Sequence, residues 1–240
     1  LVNEKILAIE AGYGFRSKHF SLNTNGYITR WENRPLPFGL SVPDPLDPSE
    51  FIRVNVPGMD ALHMGIETDF VIKFNKKLSF EGMVSVGDWK WASKEDIVIY
   101  EDTISFDARG VHVGNAAQST YAASLRFAFV KNGYFKIKYT LFDRYYSNFN
   151  PNSLSGETAG KDSWRIPAYG LMSIHAGYTV RFEKSQLKFK ANLFNALNTL
   201  YISDARNNYH LDGTSDFDAN SATVFIGQGL RFNVSIGFQF

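Results

Sequence analysis

Apolar and polar residues alternate along most of this chain. Between Leu62 and Phe74 the even-numbered positions are almost all apolar, whereas the odd-numbered positions include His63 and Asp69. The last ten residues, RFNVSIGFQF, repeat the pattern as far as Phe240. Because successive side chains of a β-strand point to opposite faces, this period of two predicts strands with one apolar and one polar face.

The alternation predicts an all-β chain in which nine strands cross a membrane. These strands are predicted near 4–15, 19–31, 61–75, 77–90, 118–130, 134–147, 168–182, 187–203 and 222–240. Strands in globular sheets usually have about 5–6 residues, whereas a tilted strand needs roughly 9–11 residues to cross a bilayer. The length of the predicted strands therefore favours a membrane wall. The segment 97–106 is predicted to form part of a hairpin that projects from a connection.

Connections between the predicted strands alternate in length. Tight turns are predicted at 16–18, 75–77, 131–133 and 183–186, and long Pro-, Gly- and Asn-rich stretches occupy 32–60, 91–118, 148–167 and 204–220. Phenylalanines bracket each tight turn, as an aromatic girdle at one membrane interface does. This pattern is typical of a transmembrane antiparallel β-barrel of the outer membrane whose short turns face the periplasm. A soluble β-sandwich or a lipocalin-type barrel is the alternative.

An odd number of strands suggests a barrel larger than this chain. Bacterial single-chain barrels normally have an even number of strands, and the first predicted strand would start outside the cell. We therefore expect residues 1–240 to be the carboxy-terminal part of a larger barrel. A further strand near 97–106 would restore an even number and is the alternative.

Composition argues against several other classes of protein. With 25 basic and 24 acidic residues, the chain has a formal net charge of +1. This balance of charge gives no indication that the chain binds nucleic acid. It has no cysteine, which excludes disulfides and thiolate metal sites. It also lacks a run of 18 apolar residues, so a transmembrane helix is not expected. The first ten residues, LVNEKILAIE, lack the features of a signal peptide.

Several segments resemble, in their order and spacing, the carboxy-terminal half of the barrel of TonB-dependent outer-membrane transporters, especially those of Bacteroidetes. They are NEKILAIEAGYGFRSKHFSLNTNGYITRWENR, GMDALHMGIETDF, SFEGMVSVGDWKW, VGNAAQSTYAASLRF, NLFNALNTLYISDA and RFNVSIGFQF. The resemblance implies a barrel of about 22 strands around a plug domain. It also implies uptake driven through the TonB complex, with no cofactor. Neither a plug nor a TonB-contacting segment is recognisable in these residues.

The resemblance leaves the cargo open among siderophores, cobalamin-like vitamins, glycans and peptides. The resemblance is also compatible with a surface lipoprotein as a further partner, as in glycan importers. Alternatives from other classes are a passive porin, an outer-membrane hydrolase, and a scaffold or binding protein that acts through its surface loops. A porin would have no plug and would conduct ions without TonB.

Aromatic residues beside the long connections are the candidate ligand-binding residues: Trp89, Trp91, Tyr145, Tyr146 and Trp164. Stacking on a ligand at the barrel mouth is one interpretation, and an aromatic girdle in contact with lipid is the other. Trp89 is expected in the lumen because it shares parity with Ser85 and Gly87. Arg126 and Arg181 are also expected to face the lumen, where charges can pair with a plug or tune selectivity.

The serine, histidine and acidic residues give little support for catalysis or metal binding. The chain is therefore predicted not to be an enzyme. It contains no G-x-S-x-G and no H-E-x-x-H motif. His63 and His175 are expected to be solvated side chains of the lumen. Asp216, Asp218 and Asn220 have the alternate spacing that begins a calcium loop, but the glycine and glutamate that complete an EF-hand are missing. A calcium site is therefore a weak hypothesis beside a solvated loop.

The terminal strand places its apolar residues on one face: Phe232, Val234, Ile236, Phe238 and Phe240. In a closed barrel no strand edge is free. We therefore expect this face to contact outer-membrane lipid and the strand itself to pair with the first strand of the full barrel. The resemblance adds that a terminal aromatic residue such as Phe240 serves recognition by the barrel-assembly machinery.

Overall fold

The computed structural model describes residues 3–34, 40–44, 46–47, 49–54, 59–99, 102–149, 154, 156–207 and 218–240. Within these ranges the regular structure is almost entirely β-strand, with a short 3-10 turn at Gly156–Thr158. Among the described residues, no helix has the length and apolar character needed to cross a membrane.

Nine long strands form one antiparallel meander, in which each strand pairs with the next one along the path. They are β1 (Lys5–Arg16), β2 (Phe20–Arg34), β5 (Met59–Lys73), β6 (Leu78–Trp91), β9 (Ala117–Val130), β10 (Gly133–Tyr146), β13 (Tyr169–Arg181), β14 (Gln186–Phe194) and β17 (Arg231–Gln239). β1 and β17 form the two edges of the described sheet. The prediction of nine strands is confirmed, and the sheet is the wall of a transmembrane β-barrel.

Shorter strands lie in the connections between the long ones. They are β3 (Leu40–Pro43), β4 (Phe51–Val54), β7 (Lys94–Ile99), β8 (Asp102–Asp107), β11 (Asn148–Phe149), β12 (Arg165–Ile166), β15 (Ile202–Asn207) and β16 (Thr223–Ile226). β7 and β8 pair as an antiparallel hairpin outside the main sheet. The predicted hairpin around 97–106 is therefore confirmed.

The two ends of the sheet differ in the length of their connections. Short turns at 17–19, 74–77, 131–132 and 182–185 join pairs of strands at one end, which we call the lower end. All the long connections are at the other end, the upper end. This asymmetry agrees with the prediction and is characteristic of outer-membrane barrels.

The register places apolar positions of neighbouring strands side by side. Phe189, for example, lies opposite Tyr178 of β13 and Ile236 of β17. The sheet consequently has one apolar face and one polar face. The apolar face is exposed, with Phe232 77% and Ile9 65% accessible, and no second sheet covers it among the described residues. An apolar surface of this extent fits lipid contact rather than a β-sandwich.

Two predicted strands are shorter than expected. The strand predicted over 187–203 ends at Phe194, and the strand predicted over 222–240 is divided into β16 and β17. β15 and β16 pair with each other instead of extending the main sheet. The wall therefore stops earlier at this point, and a separate small sheet stands above it.

Two asparagines account for this break. Asn195 and Asn198 have φ angles of 47° and 49°, in the left-handed region that a regular strand does not contain. Asn195 Nδ2 donates to the carbonyls of Thr199 (2.9 Å) and Gln228 (3.1 Å), and its Oδ1 accepts from Thr199 N–H at 2.8 Å. Asn198 Oδ1 accepts from Leu230 N–H at 3.0 Å. The two side chains thus hold the ends of β14 and β17 together where the ladder stops.

Replacing Asn195 by Ala should lower the free energy of unfolding by about 1–3 kcal/mol, because a side chain that is 3% exposed loses three hydrogen bonds. The measurement is the temperature at which the purified full-length protein loses its folded, faster-migrating band in gel electrophoresis. Asn25→Ala is the matched control, since Asn25 lies on the polar face and its side chain makes no hydrogen bond with the described residues. Equal shifts for the two variants would contradict the role of Asn195.

Candidate functional site

The upper end of the polar face carries a group of aromatic and basic side chains on three adjacent strands, β2, β5 and β6. We call it the lumenal aromatic cluster and define it as Tyr27, Trp31, Arg34, His63, Trp89 and Trp91. The register assembles it, because His63 of β5 lies directly opposite Trp89 of β6.

Trp89 is the best-fixed member of the lumenal aromatic cluster. Its Nε1 donates to the hydroxyl of Tyr27 at 2.8 Å, and its ring is stacked with His63 at a centroid distance of 5.4 Å and an interplanar angle of 17°. The ring packs over Gly87, where a Cβ atom would lie 2.6 Å from Nε1. Gln118 binds the backbone of Trp89 on both sides, accepting from its N–H and donating to its carbonyl, each at 3.0 Å. Trp89 is therefore a preorganised, half-buried platform on the wall.

His63 lies between two indole rings. Its ring centroid is 6.1 Å from that of Trp31 and 5.4 Å from that of Trp89. His63 Nε2 is buried and has no hydrogen-bond partner among the described residues. The expectation of a solvated His63 is therefore wrong at this nitrogen. A buried unpaired polar atom costs about 1–3 kcal/mol, so the packing of His63 between the two indole rings is achieved at some cost in stability.

Arg34 joins the two remaining tryptophans. Its guanidinium lies 5.1 Å from the ring centroid of Trp31 and 5.6 Å from that of Trp91, in cation–π geometry. Trp91 is 6% exposed, and its backbone bonds to the connection above β6, donating to Val111 O and accepting from Gly110 N–H. The cluster is thus continuous with the loop that follows the β7–β8 hairpin.

A second group, the rim cluster, surrounds Tyr145 and Tyr169 at the upper ends of β10 and β13. Tyr145 is 8% exposed, and its hydroxyl donates to Asp204 Oδ1 at 3.4 Å. Tyr169 stacks on Phe142 at 5.1 Å and on Tyr201 at 4.5 Å. The other members of the packed group are Ala117, Trp164, Ile166, Ile202 and Ala205. These mutual contacts make the rim cluster a small hydrophobic core that joins the connection between β10 and β13 to the connection between β14 and β17.

Tyr146 lies apart from both groups. Its ring stacks face to face on His112, with centroids 4.1 Å apart. His112 Nδ1 is 2.6 Å from Asp162 Oδ2, and its Nε2 is 3.4 Å from Asp88 Oδ1. Arg144 also reaches Asp88, at 3.3 Å, and has a φ of 51°. Tyr145 and Tyr146 are neighbours on one strand and point to opposite sides, so Tyr145 packs in the rim cluster while Tyr146 packs against His112, which reaches Asp88.

The upper connections also carry an ion pair with two hydrogen bonds. Arg109 Nε and Nη2 donate to the two carboxylate oxygens of Asp107 at 2.9 and 2.5 Å, which lowers the pKa of this carboxyl to about 2. The Asp107 backbone bonds to Leu154 and Gly160 of another connection. The hairpin that ends at Asp107 is therefore tied to the loop after β11.

The structure divides the predicted ligand-binding residues among three places. Trp89 and Trp91 belong to the lumenal aromatic cluster, and the prediction that Trp89 points into the lumen agrees with its contacts to Tyr27 and His63. Tyr145 and Trp164 belong to the rim cluster, and Tyr146 stands alone with His112. Sequence reasoning missed Tyr27, Arg34, Tyr169 and Tyr201, because their proximity to the tryptophans depends on strand pairing and not on spacing.

The possible calcium loop is only partly described. Asp216 lies outside the described residues. Asp218 Oδ1 accepts from the N–H groups of Asn220 (2.8 Å) and Ser221 (3.3 Å), which makes it a turn residue. Among the described residues no three His, Asp or Glu side chains are grouped as metal ligands. His175 instead has Asn192 as its partner, with Nδ1 and Oδ1 2.7 Å apart. The calcium site stays a prediction.

Neither a protein-family model nor a curated protein matches the chain. Solved structures do match in fold at low sequence identity. The copper transporter OprC is 13% identical, with a TM-score of 0.63, over 97% of this chain and 31% of that one. The unliganded ferric citrate transporter FecA is 14% identical, with a TM-score of 0.62, over 98% and 31%. The ferric yersiniabactin uptake receptor FyuA from Yersinia pestis is 13% identical, with a TM-score of 0.60, over 99% and 30%.

These likenesses agree with the barrel-wall fold described above. The chain spans about a third of the length of each of these proteins. The identities are too low to carry a ligand or a mechanism across. What the chain itself contributes is a membrane wall with an organised aromatic site at its upper end.

Replacing Gly65 by Ala should disturb the lumenal aromatic cluster. A Cβ atom at Gly65 would lie 2.6 Å from the Tyr27 hydroxyl and 2.8 Å from Val86 O, so Tyr27 must move away from Trp89. The expected result is a changed tryptophan fluorescence spectrum together with a loss of stability of about 1–3 kcal/mol. Gly26→Ala is the control, because the nearest atom to its Cβ would be 3.9 Å away. A change with Gly26→Ala and none with Gly65→Ala would contradict the described packing.

Proposed function

We propose that this chain is part of the wall of a large, plugged outer-membrane barrel that takes up a nutrient with energy from the TonB complex. The observation that carries the proposal is the lumenal aromatic cluster at the upper end of a transmembrane wall. A half-buried Trp89, fixed by Tyr27 and Gln118, offers a ligand a stacking surface.

The free edges of the sheet support a barrel of more strands. Within hydrocarbon every backbone polar group needs a partner, and β1 and β17 do not pair with each other in the described sheet, so each edge is open to a further strand. Proteins of similar fold are about three times as long as this chain. In the proposal, residues 1–240 form the carboxy-terminal part of a barrel that surrounds a plug.

The cargo and partners belong to the same proposal. The proteins of similar fold include a copper transporter and receptors or transporters for ferric yersiniabactin and ferric citrate. A metal chelate with planar or aromatic groups suits the stacking surface on Trp89. The further partners we propose are the TonB complex, the barrel-assembly machinery, outer-membrane lipid and, for a glycan cargo, a surface lipoprotein. Membership of the Bacteroidetes group rests on the resemblance of the sequence.

Trp89→Ala should weaken ligand binding by about tenfold, since loss of a stacking and hydrogen-bonding aromatic residue costs about 1–2 kcal/mol. The measurement is binding of ferric citrate, ferric siderophores and copper to the purified full-length protein, followed by uptake into cells with and without an energised inner membrane. Trp89→Phe should recover part of the affinity, because it keeps the ring face and loses the N–H donor to Tyr27.

Tyr121→Ala is the control for Trp89, because Tyr121 is an aromatic residue of the apolar face and is 37% exposed. It should leave binding unchanged. An unchanged affinity of Trp89→Ala for every ligand that the wild type binds would contradict the site. Uptake that persists without TonB, together with ion conductance in planar bilayers, would indicate a passive porin instead.

Deletion of Phe240 should reduce the amount of assembled barrel in the outer membrane more than it reduces ligand affinity. Phe240 is 97% exposed and ends the row of apolar residues on β17, so it is free to contact an assembly factor. The measurement is the folded band in outer-membrane fractions, with ligand affinity determined on the assembled remainder.

Phe74→Ala is the matched control for the deletion of Phe240. Phe74 is also an exposed aromatic residue at the lower end, 57% accessible, but it lies in an internal turn. Loss of a lipid-facing aromatic alone should affect both variants equally. Equal loss of assembled protein in both would therefore contradict an assembly signal at Phe240.

A further inference from the structure

The acidic residues of the polar face are confined to one of its two halves. On β9, β10, β13, β14 and β17 the charged residues of this face are all basic, and we call them the basic wall: Arg126, Lys136, Lys138, Arg181, Lys188, Lys190 and Arg231. These five strands carry no acidic side chain at the polar-face positions of their described registers. The acidic residues of this face are on the other half, at Glu10, Glu67, Asp69 and Glu81, where Arg16 and Lys73 also lie.

Few members of the basic wall are neutralised by the wall itself. Glu81, on the boundary between the two halves, binds Lys136 at 2.5 Å. Lys188 donates to a neutral amide oxygen, that of Gln239, at 2.9 Å. The guanidinium of Arg126 lies 4.8 Å from the ring centroid of Tyr134. These contacts leave most of the positive charge uncompensated.

Three members of the basic wall are unpaired. The side chains of Lys138, Arg181 and Lys190 make no hydrogen bond or ion pair with the described residues. Cations held side by side on a wall repel one another, and the repulsion is strongest where water is partly excluded. A barrel that encloses another protein segment therefore gains if that segment brings the missing negative charge.

The basic wall lies mainly at the lower end, far from the lumenal aromatic cluster. Lys138 is five residues above the start of β10 at Gly133, and Lys190 is four residues above the start of β14 at Gln186. At about 3.4 Å per residue, these side chains lie within about 17 Å of the short turns. Trp89, in contrast, is two residues from the upper end of β6. The two features therefore occupy different depths.

The size of the basic wall favours a protein surface over a small anion as its binding partner. Five neighbouring strands at about 4.8 Å spacing span about 19 Å across the wall. The basic wall is therefore about 19 Å wide and about 17 Å high. A surface of this size is larger than the contact area of a small chelate and matches one face of a folded protein segment. The register also places Arg126 directly opposite Lys136, so basic side chains are neighbours across β9 and β10, with Glu81 beside them on β6.

We propose that the basic wall is the docking surface for an acidic face of the segment that fills the lumen. This inference rests on the proposed function, because it requires a plug. Beyond the proposed function, it states that the plug contacts the wall on β9 to β17 and that the side of the plug facing these strands is negatively charged. The other half of the wall, β1 to β6, carries charges of both signs and then faces a less acidic side of the same segment.

The test is charge reversal of the three unpaired cations, K138E/R181E/K190E, in the full-length protein. The readout is the urea concentration at which ion conductance appears in planar bilayers, as the plug leaves the lumen. We expect this concentration to fall by about 1–2 M. The wild type should also become easier to open in high salt, because salt screens ion pairs, whereas the reversed variant should respond little to salt. The neutral variant K138Q/R181Q/K190Q should lie between the two.

The matched control is K76E/K131E/K184E, which makes the same change of charge on exposed lysines of the short turns. An equal fall of the urea midpoint in this control, or none in the wall variants, would overturn the inference. A wall variant that keeps its midpoint but binds ferric citrate more weakly would assign the wall to an anionic ligand instead. Conductance of the wild type without urea would overturn the proposed plugged transporter itself.

Discussion

The backbone hydrogen-bond ladder is the constraint on which the rest of this structure depends. In hydrocarbon no water is present to bind an N–H or C=O group, so each strand must pair along its full length. The registers of the nine long strands are accordingly regular, and their two irregularities are confined to strand ends, at Trp31/Arg34 and at Gly133/Phe135. Because pairing is uninterrupted between these points, the side of the sheet on which each residue lies is set by parity alone.

Parity in turn decides where polar groups can be placed. On the apolar face the hydroxyls of Thr24 and Thr68 are cross-strand neighbours and hydrogen-bond to each other at 2.9 Å, so two polar groups on the lipid side satisfy one another. Charged groups in the spanning part are placed on the polar face, where Glu81 and Lys136 pair and Lys138 and Lys190 remain available. The same alternation that makes the outer surface apolar therefore makes the inner surface able to carry a charge pattern.

Sequence reasoning was most successful where a single strand contains the whole signal. The strands ending at Arg16, Lys73 and Val130 follow from alternation and turn residues alone. It failed at Asn195, because the break depends on a hydrogen bond to Gln228, 33 residues away. The same limit applies to the candidate site. The orientation of Trp89 follows from parity within β6, whereas its partner Tyr27 is 62 residues away and two strand pairings apart.

The ladder also restricts how the two functional regions of the wall can influence each other. A strand that slips by one residue would turn every side chain to the wrong face, so the wall cannot change its register in response to a ligand. Stacking on Trp89 and charge pairing on Lys138 and Lys190 therefore cannot be coupled by sliding strands. Coupling requires an element with two arrangements that both regions bias. In the proposed transporter that element is the segment inside the lumen, since it is able to reach the aromatic cluster above and the basic wall below.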